Sequence, residues 1–129
     1  MAFAQNFELA TRPAAGPNQK PDRRAGPIAR GFEGEVGDLS LADGALTVLW
    51  HSITWQYLSD DERAAVRDGI EALGAQAHAR SPLAHLTLEP ARDGPGAPIK
   101  FLVRARSWPG GGPAILGECH PHGPPVSWR

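Results

Sequence analysis

The spacing of hydrophobic positions changes along this chain. Residues 46–50 form a continuous apolar, β-rich run, which is typical of a strand covered on both faces. A second run of this kind covers residues 83–88. Between them the apolar positions recur at helical spacing, which predicts a helix over 60–73. Strand, helix and strand together predict a βαβ unit with two parallel strands.

Both ends of the predicted helix carry sequence signals. Ser59 and Glu62 have the spacing of a capping box, in which each side chain binds the backbone N–H of the other residue. Gly74 is the predicted C-terminal stop, because glycine tolerates the backbone conformation that follows a helix. The predicted buried stripe consists of Val66, Ile70 and Leu73.

The hydrophobic period becomes two near the C-terminal end. Residues 99–106 alternate between the two faces of a predicted strand, and residues 114–119 pair back to it as a β-hairpin. The loop before this strand, residues 90–98, is shorter than the dozen or so residues of a parallel crossover. We therefore expect strand 99–106 to be antiparallel to strand 83–88, and strand 114–119 to run parallel to strand 83–88 again.

These directions place polar side chains at one edge of the sheet. His51, Glu89 and His120 each follow or end a predicted strand, and all three strands point the same way. Ligands bind at this carboxyl edge in open α/β sheets. The candidate substrate-side residues are His51, Ser52, Trp55, Gln56, Tyr57, Glu89, His120 and His122.

Residues 1–38 differ in composition from residues 39–129. Prolines and glycines are frequent in this first segment, and its apolar residues are too sparse to offset the entropy of ordering. The sequence predicts a disordered leader over 1–38 and an ordered domain over 39–129.

Charge and cysteine content exclude some classes of function. The net charge of −1 gives no electrostatic basis for binding nucleic acid, and no apolar run is long enough to span a membrane. Cys119 is the only cysteine and has no partner for an internal disulfide, so we expect a cytoplasmic location.

Three blocks resemble a known bacterial family. They are WHSITWQYL (50–58), PLAHLTLEP (82–90) and SWPGGGPAILGECHPHG (107–123). Together they resemble the C-terminal part of the uncharacterised family called domain of unknown function 2332, over about residues 40–128. The chain departs from that family at His85, where tryptophan is usual, and at Pro124-Pro125, where an aromatic residue is usual.

The resemblance implies a partial Rossmann-like sheet of the class I methyltransferases that use S-adenosylmethionine. Strand 46–50 would then be the fourth strand, where substrate-side residues are often found. The glycine-rich stretch at 31–37 follows no predicted apolar strand and precedes no predicted helix, so it is weak evidence for a phosphate or nucleotide loop. We therefore expect half of a methyltransferase-like domain, which binds no cofactor alone and is inactive alone.

Several chemical interpretations of the candidate residues remain open. His51 and Ser52 would point to opposite faces of a strand and so would not form a nucleophile–base pair; His51 would instead pack, form hydrogen bonds or contact a ligand. Glu89 is either an acid, base or ribose contact, or a strand end facing solvent. The segment 120–122 is either a proline turn or a metal-binding arm, with Cys119 and His51 as further ligands.

Three functions follow from these interpretations. The first is the substrate-side half of a methyltransferase. The second is an interaction module, in which the unpaired edge of strand 46–50 pairs with a second copy or with a chain that supplies the missing half. The third is a histidine-based metal-binding protein.

Overall fold

The computed structural model describes residues 7–13, 22–26, 39–92 and 94–129. Seven strands of these residues form one sheet in the order β2-β1-β3-β4-β5-β6-β7. The elements are β1 (Phe7–Pro13), β2 (Asp22–Gly26), β3 (Ala45–Ser52), a 3-10 turn (Trp55–Tyr57), α1 (Asp60–Ala75), β4 (Leu83–Ala91), β5 (Lys100–Trp108), β6 (Ala114–His120) and β7 (Gly123–Trp128).

The predicted βαβ unit is confirmed. Strands β3 and β4 are parallel, from the pair Thr47 and Leu83 to the pair Ser52 and Leu88. The strand pairings of the described residues are otherwise antiparallel. The described part of the chain is therefore a mixed sheet with one α-helix, which is an α/β arrangement.

Helix α1 begins as predicted and ends later than predicted. The Ser59 side chain accepts from the backbone N–H of Glu62, and the Ser59 backbone N–H donates to Glu62 at 2.7 Å. This backbone hydrogen bond, with that from the Ser59 side chain, lowers the pKa of Glu62. The predicted stop at Gly74 is wrong, because Gly74 is a buried residue inside the last turn.

Gly74 serves close packing instead of helix termination. A Cβ atom at this position would lie 2.5 Å from Nε1 of the Trp108 ring. Only glycine therefore lets α1 approach β5 at this point without moving the indole. Helix α1 and strand β5 are therefore in direct contact at Gly74 and Trp108.

The core lies between α1 and one face of the sheet. The predicted stripe of α1 is buried and packs against Leu49 of β3 and Leu83 of β4. Alternate residues of β3 are buried, so this strand presents one side to the helix. His51 continues that buried series at the carboxyl end of the strand.

The predicted directions of the C-terminal strands are also confirmed. Strand β5 is antiparallel to β4, and β6 is antiparallel to β5, so β6 runs in the direction of β4. Strand β7 was not predicted, because Pro124 and Pro125 interrupt it. It pairs with β6 and is the last strand in the sheet order, and edge strands tolerate proline.

The N-terminal strands correct one expectation and bear on another. Strand β1 pairs with β3 from Glu8 opposite Trp50 to Pro13 opposite Ala45, so the edge of strand 46–50 is not unpaired. Strands β1 and β2 also lie inside the segment predicted to be a disordered leader. The backbone N–H and C=O groups on this edge of β3 face an antiparallel neighbour, β1, from the same chain. The expected association through an unpaired edge of β3 therefore has no structural basis. The rest of the predicted leader lies outside the described residues.

No helix within the described ranges has the length and apolar character needed to cross a membrane.

Candidate acid–base site

A cavity of about 580 Å³ lies between α1 and the helix-facing side of β4 and β5. Pockets for small molecules commonly have volumes of roughly 300–1,000 Å³. The 3-10 turn after β3 contributes Trp55 to its wall, and α1 contributes Arg67, Ile70 and other residues. The cavity therefore has the size of a small-molecule site and is built by the βαβ unit and β5.

Strand register brings the polar side chains of this wall together. His85, Thr87 and Glu89 alternate along β4 and so share one face of the sheet. His51 lies opposite Thr87 in the parallel pair and belongs to the same face. On the other side of β4, Arg106 lies opposite His85. A period-two pattern thus collects residues from three strands on the face below α1.

His51 joins Glu89 and His85 through its two ring nitrogens. Nδ1 of His51 lies 2.7 Å from Oε1 of Glu89, and Nε2 lies 3.0 Å from Nε2 of His85. The side chains of His51 and Glu89 are only 2% and 9% exposed. Because two ring nitrogens at this distance share one proton, one imidazole is the donor and the other the acceptor.

The turn after β3 holds the Glu89 carboxylate in place. Oε1 also accepts from the backbone N–H of Thr54 at 2.9 Å and from that of Trp55 at 3.3 Å. Ile53 has a φ of 52°, in the left-handed region that β-branched residues rarely adopt. This bend turns the following N–H groups toward the carboxylate, and strain of this kind is frequent at functional sites.

The second carboxylate oxygen of Glu89 has a different environment. Oε2 is buried and has no hydrogen-bond partner among the described residues. The negative charge of Glu89 is therefore compensated through Oε1, by two backbone N–H groups and by His51.

Aromatic and cationic groups cover His51. The Trp55 ring stacks on His51 with a centroid distance of 5.3 Å and an interplanar angle of 13°. The guanidinium carbon of Arg67 lies 5.2 Å from the centroid of the Trp55 ring. This stack covers the central imidazole and restricts its orientation.

His85 is held neutral by its surroundings. Burial, together with smaller effects of the nearby His51 and Arg106, lowers the pKa of His85 from 6.5 to about 4. His85 is therefore neutral at pH 7, and one of its ring nitrogens is free to accept a hydrogen bond.

Arg106 is already engaged by its neighbours. Its guanidinium forms a two-point ion pair with Glu71 of α1, with 3.1 Å between Nη2 and Oε2. It also lies 4.4 Å from the centroid of the Trp108 ring. This contact joins α1 to β5 across the cavity and fixes one of its positive charges.

The structure separates the residues expected at this edge of the sheet into two groups. His51, Trp55 and Glu89 meet at the cavity wall. Ser52 lies in β3 next to His51 and so on the opposite face, as expected for adjacent strand residues, and its carbonyl accepts from the Thr54 hydroxyl. Gln56 and Tyr57 are exposed on the 3-10 turn.

His120 and His122 lie elsewhere. Pro121 and His122 form the turn between β6 and β7, and the two histidine rings are 5.4 Å apart on the surface. His120 lies at the same edge of the sheet as Glu89 but two strands away from β4. No group of three or more potential metal ligands was found within the described residues.

The sequence did not identify His85 as a site residue. It was noted only as a departure from a family pattern, although it lies four residues before Glu89 in a strand. Two steps of strand alternation place both side chains on one face, and this spacing is the signal that would have found it.

Comparisons with known proteins give one match. The family model described as "Uncharacterized protein conserved in bacteria (DUF2332)" matches residues 18–128. Neither the curated proteins nor the solved structures contain a match. The match begins within the segment expected to be a leader, so residues 18–38 are part of the family region.

The low pKa of His85 predicts a loss of stability in acid. Between pH 6.5 and about 4 the unfolded chain binds a proton at His85 that the folded chain does not. The contribution of neutral His85 to the free energy of unfolding is therefore complete above pH 6.5. It decreases as the pH falls toward 4, by at most about 3 kcal/mol. In urea unfolding at pH 7, 5.5 and 4.5, His85→Gln should show a weaker pH dependence than the parent protein.

His122→Gln is the matched control, because it removes an imidazole from an exposed turn. It should retain the pH dependence of the parent. Equal pH dependence in His85→Gln and the parent would show that His85 is not buried as a neutral group.

Proposed function

We propose that this chain, which belongs to the family of uncharacterized proteins conserved in bacteria (DUF2332), uses the cavity as the substrate site of an acid–base enzyme. The reaction begins when His85 takes a proton from an O–H or N–H group of a small molecule. The observation that supports this proposal is the continuous hydrogen-bonded chain from Glu89 through His51 to His85.

The hydrogen-bonded chain provides a path for the proton. In the starting state His51 donates from Nδ1 to Glu89, and His85 donates from Nε2 to Nε2 of His51. When Nδ1 of His85 accepts the substrate proton, its Nε2 proton moves to His51. The positive charge then lies on His51, next to the Glu89 carboxylate, and His85 is neutral again.

The two histidines have different roles in this scheme. His85 lines the cavity and meets the substrate, so it is the proposed catalytic base. His51 is almost fully buried and acts through His85, so it is a positioning and charge-storing residue. Glu89 stabilises the charged form of His51 and sets its tautomer, as a carboxylate does for histidine in other acid–base sites.

Methyl transfer is the specific reaction that we propose on the family resemblance. Removing a proton from a hydroxyl or amine makes it a better nucleophile, which methyl transfer to oxygen or nitrogen requires. The parallel pair β3–β4 with its connecting helix agrees with the fourth and fifth strands of a methyltransferase sheet. The antiparallel β1 differs from the parallel neighbour expected there.

S-adenosylmethionine should not bind this chain alone. The sequence of residues 1–38 lacks the pattern of an apolar strand followed by a glycine-rich turn and a helix, the motif that supplies the backbone contacts to the cofactor in such folds. Calorimetric titration should give no saturable heat at micromolar concentrations. Saturable binding there would contradict the view that the cofactor contacts lie outside this chain.

The proton path is tested by Glu89→Gln. The amide oxygen still accepts hydrogen bonds, but the negative charge that stabilises a proton on His51 is lost. The His51–His85 pair should therefore bind its first proton at a lower pH than in the parent protein. Histidine nitrogen chemical shifts, measured by NMR across a pH series, report both the pH and the ring that is protonated.

Glu118→Gln is the control variant, because Glu118 carries the same charge on β6 and pairs with Lys100. It should leave the protonation of the pair unchanged. Equal behaviour of the two variants, or a first proton located on His85, would contradict the proposed role of Glu89.

A further inference from the structure

The charges around the cavity indicate the class of its ligand, an inference that rests on the proposed function. We infer that the substrate carries an oxyanion group, a carboxylate or a phosphate, which Arg67 and Arg104 bind while its acidic O–H or N–H group reaches His85. Both arginines line the cavity and are exposed.

The cavity wall contains equal numbers of acidic and basic residues, but their partners differ. Of the acids, Glu71 is paired with Arg106, and Glu89 is held by His51 and two backbone N–H groups. Asp68 remains as the acid without a described ion pair. Among the described residues, the guanidinium groups of Arg67 and Arg104 thus have no ion-pair partner, against one carboxylate, that of Asp68, without one. The charge available to a ligand is positive.

Arg67 is positioned without using its hydrogen-bond donors. Its guanidinium lies over the Trp55 ring and forms no hydrogen bond or ion pair with the described residues. A cation–π contact uses the flat face of the guanidinium and leaves its N–H edges available. Trp55 also stacks on His51, so one indole ring contacts both Arg67 and the histidine at the centre of the proton path.

Arg104 is positioned by strand register. It lies opposite Thr87 in the β4–β5 pair, next to Arg106, which lies opposite His85. Alternation along β5 puts Arg104 on the same face as Arg106. Arg104 forms no ion pair with the described residues, and its pair with Thr87 lies two residue pairs along the strands from the proposed base, on the same face.

Aromatic stacking does not explain recognition in this cavity. Trp55 is occupied by His51 and Arg67, and Trp108 is occupied by Arg106 and by the close approach of Gly74. Guanidinium groups match carboxylates and phosphates by two parallel hydrogen bonds, whereas a neutral group gains much less. Charge therefore selects the ligand, and the substrate is a small organic acid or a phosphate ester.

The inference is tested by NMR titration at constant ionic strength with three probes that share one ring: benzoate, phenyl phosphate and benzamide. The indole N–H of Trp55 and the arginine side-chain N–H signals report binding. One or both anions should bind in the cavity, and benzamide should bind at least about tenfold more weakly, as expected when a charge-assisted hydrogen bond is lost. Preference between the two anions identifies carboxylate or phosphate as the natural group.

Arginine variants locate the binding group. Arg104→Gln and Arg67→Gln should each weaken binding of the preferred anion by about tenfold. Arg129→Gln removes the same charge at an exposed position away from the cavity and should leave binding unchanged. Unchanged affinity in both cavity variants, binding of benzamide as tight as that of the anions, or no binding of either anion would overturn the inference.

The same samples separate this inference from the proposed function. The histidine signals report the protonation of the His51–His85 pair without any ligand. If that pair behaves as proposed and the anions fail to bind, the inference about the substrate is wrong and the proton path stands. If the pair fails and the anions bind, the cavity is an anion-binding site without the proposed base.

Discussion

The hydrogen bond between Glu89 and His51 links the two strands of the βαβ unit at their carboxyl ends. Burying a carboxylate without partners costs several kcal/mol, so its position requires donors that are fixed in advance. The turn at Ile53 supplies two backbone N–H groups, and β3 supplies the imidazole. The carboxylate in turn orients His51 toward His85, so the geometry of the whole site depends on this one contact.

The surrounding packing maintains that contact. Helix α1 covers the face of the sheet with an apolar stripe, and its polar side contributes Arg67 and Glu71 to the cavity. Trp55 covers His51, while Gly74 lets the indole of Trp108 approach the helix. The same elements that exclude water from the core therefore define a cavity whose wall includes a neutral histidine and charged groups with fixed partners.

Local sequence signals predicted the features that depend on residues close together in the sequence. The capping box at Ser59 placed the start of α1, and the nine-residue loop 90–98 fixed the direction of β5. Signals failed where distant residues decide the structure. The proline-rich N-terminal segment gave no indication that residues 7–13 would pair with β3, and Gly74 resembles a helix stop until Trp108 is placed beside it.

The candidate site was predictable to a similar extent. His51 and Glu89 were placed at one edge of the sheet because strand direction follows from loop length. Their hydrogen bond and the participation of His85 depend on the register of β3 against β4, which no local pattern specifies. The segment 120–122, for which both a proline turn and a metal-binding arm were open, contains the turn between β6 and β7, since proline and glycine favour turns for reasons unrelated to metals.

The proposed proton path requires that His51 and His85 share a proton between their Nε2 atoms. Scalar coupling between nitrogen nuclei passes through N–H···N hydrogen bonds, so NMR of protein labelled with ¹⁵N in its histidines measures this contact directly. A resolved coupling between these two Nε2 nuclei is expected at pH 7, and it should disappear in His85→Gln. Absence of the coupling at pH 7, with both rings giving sharp signals, would contradict it.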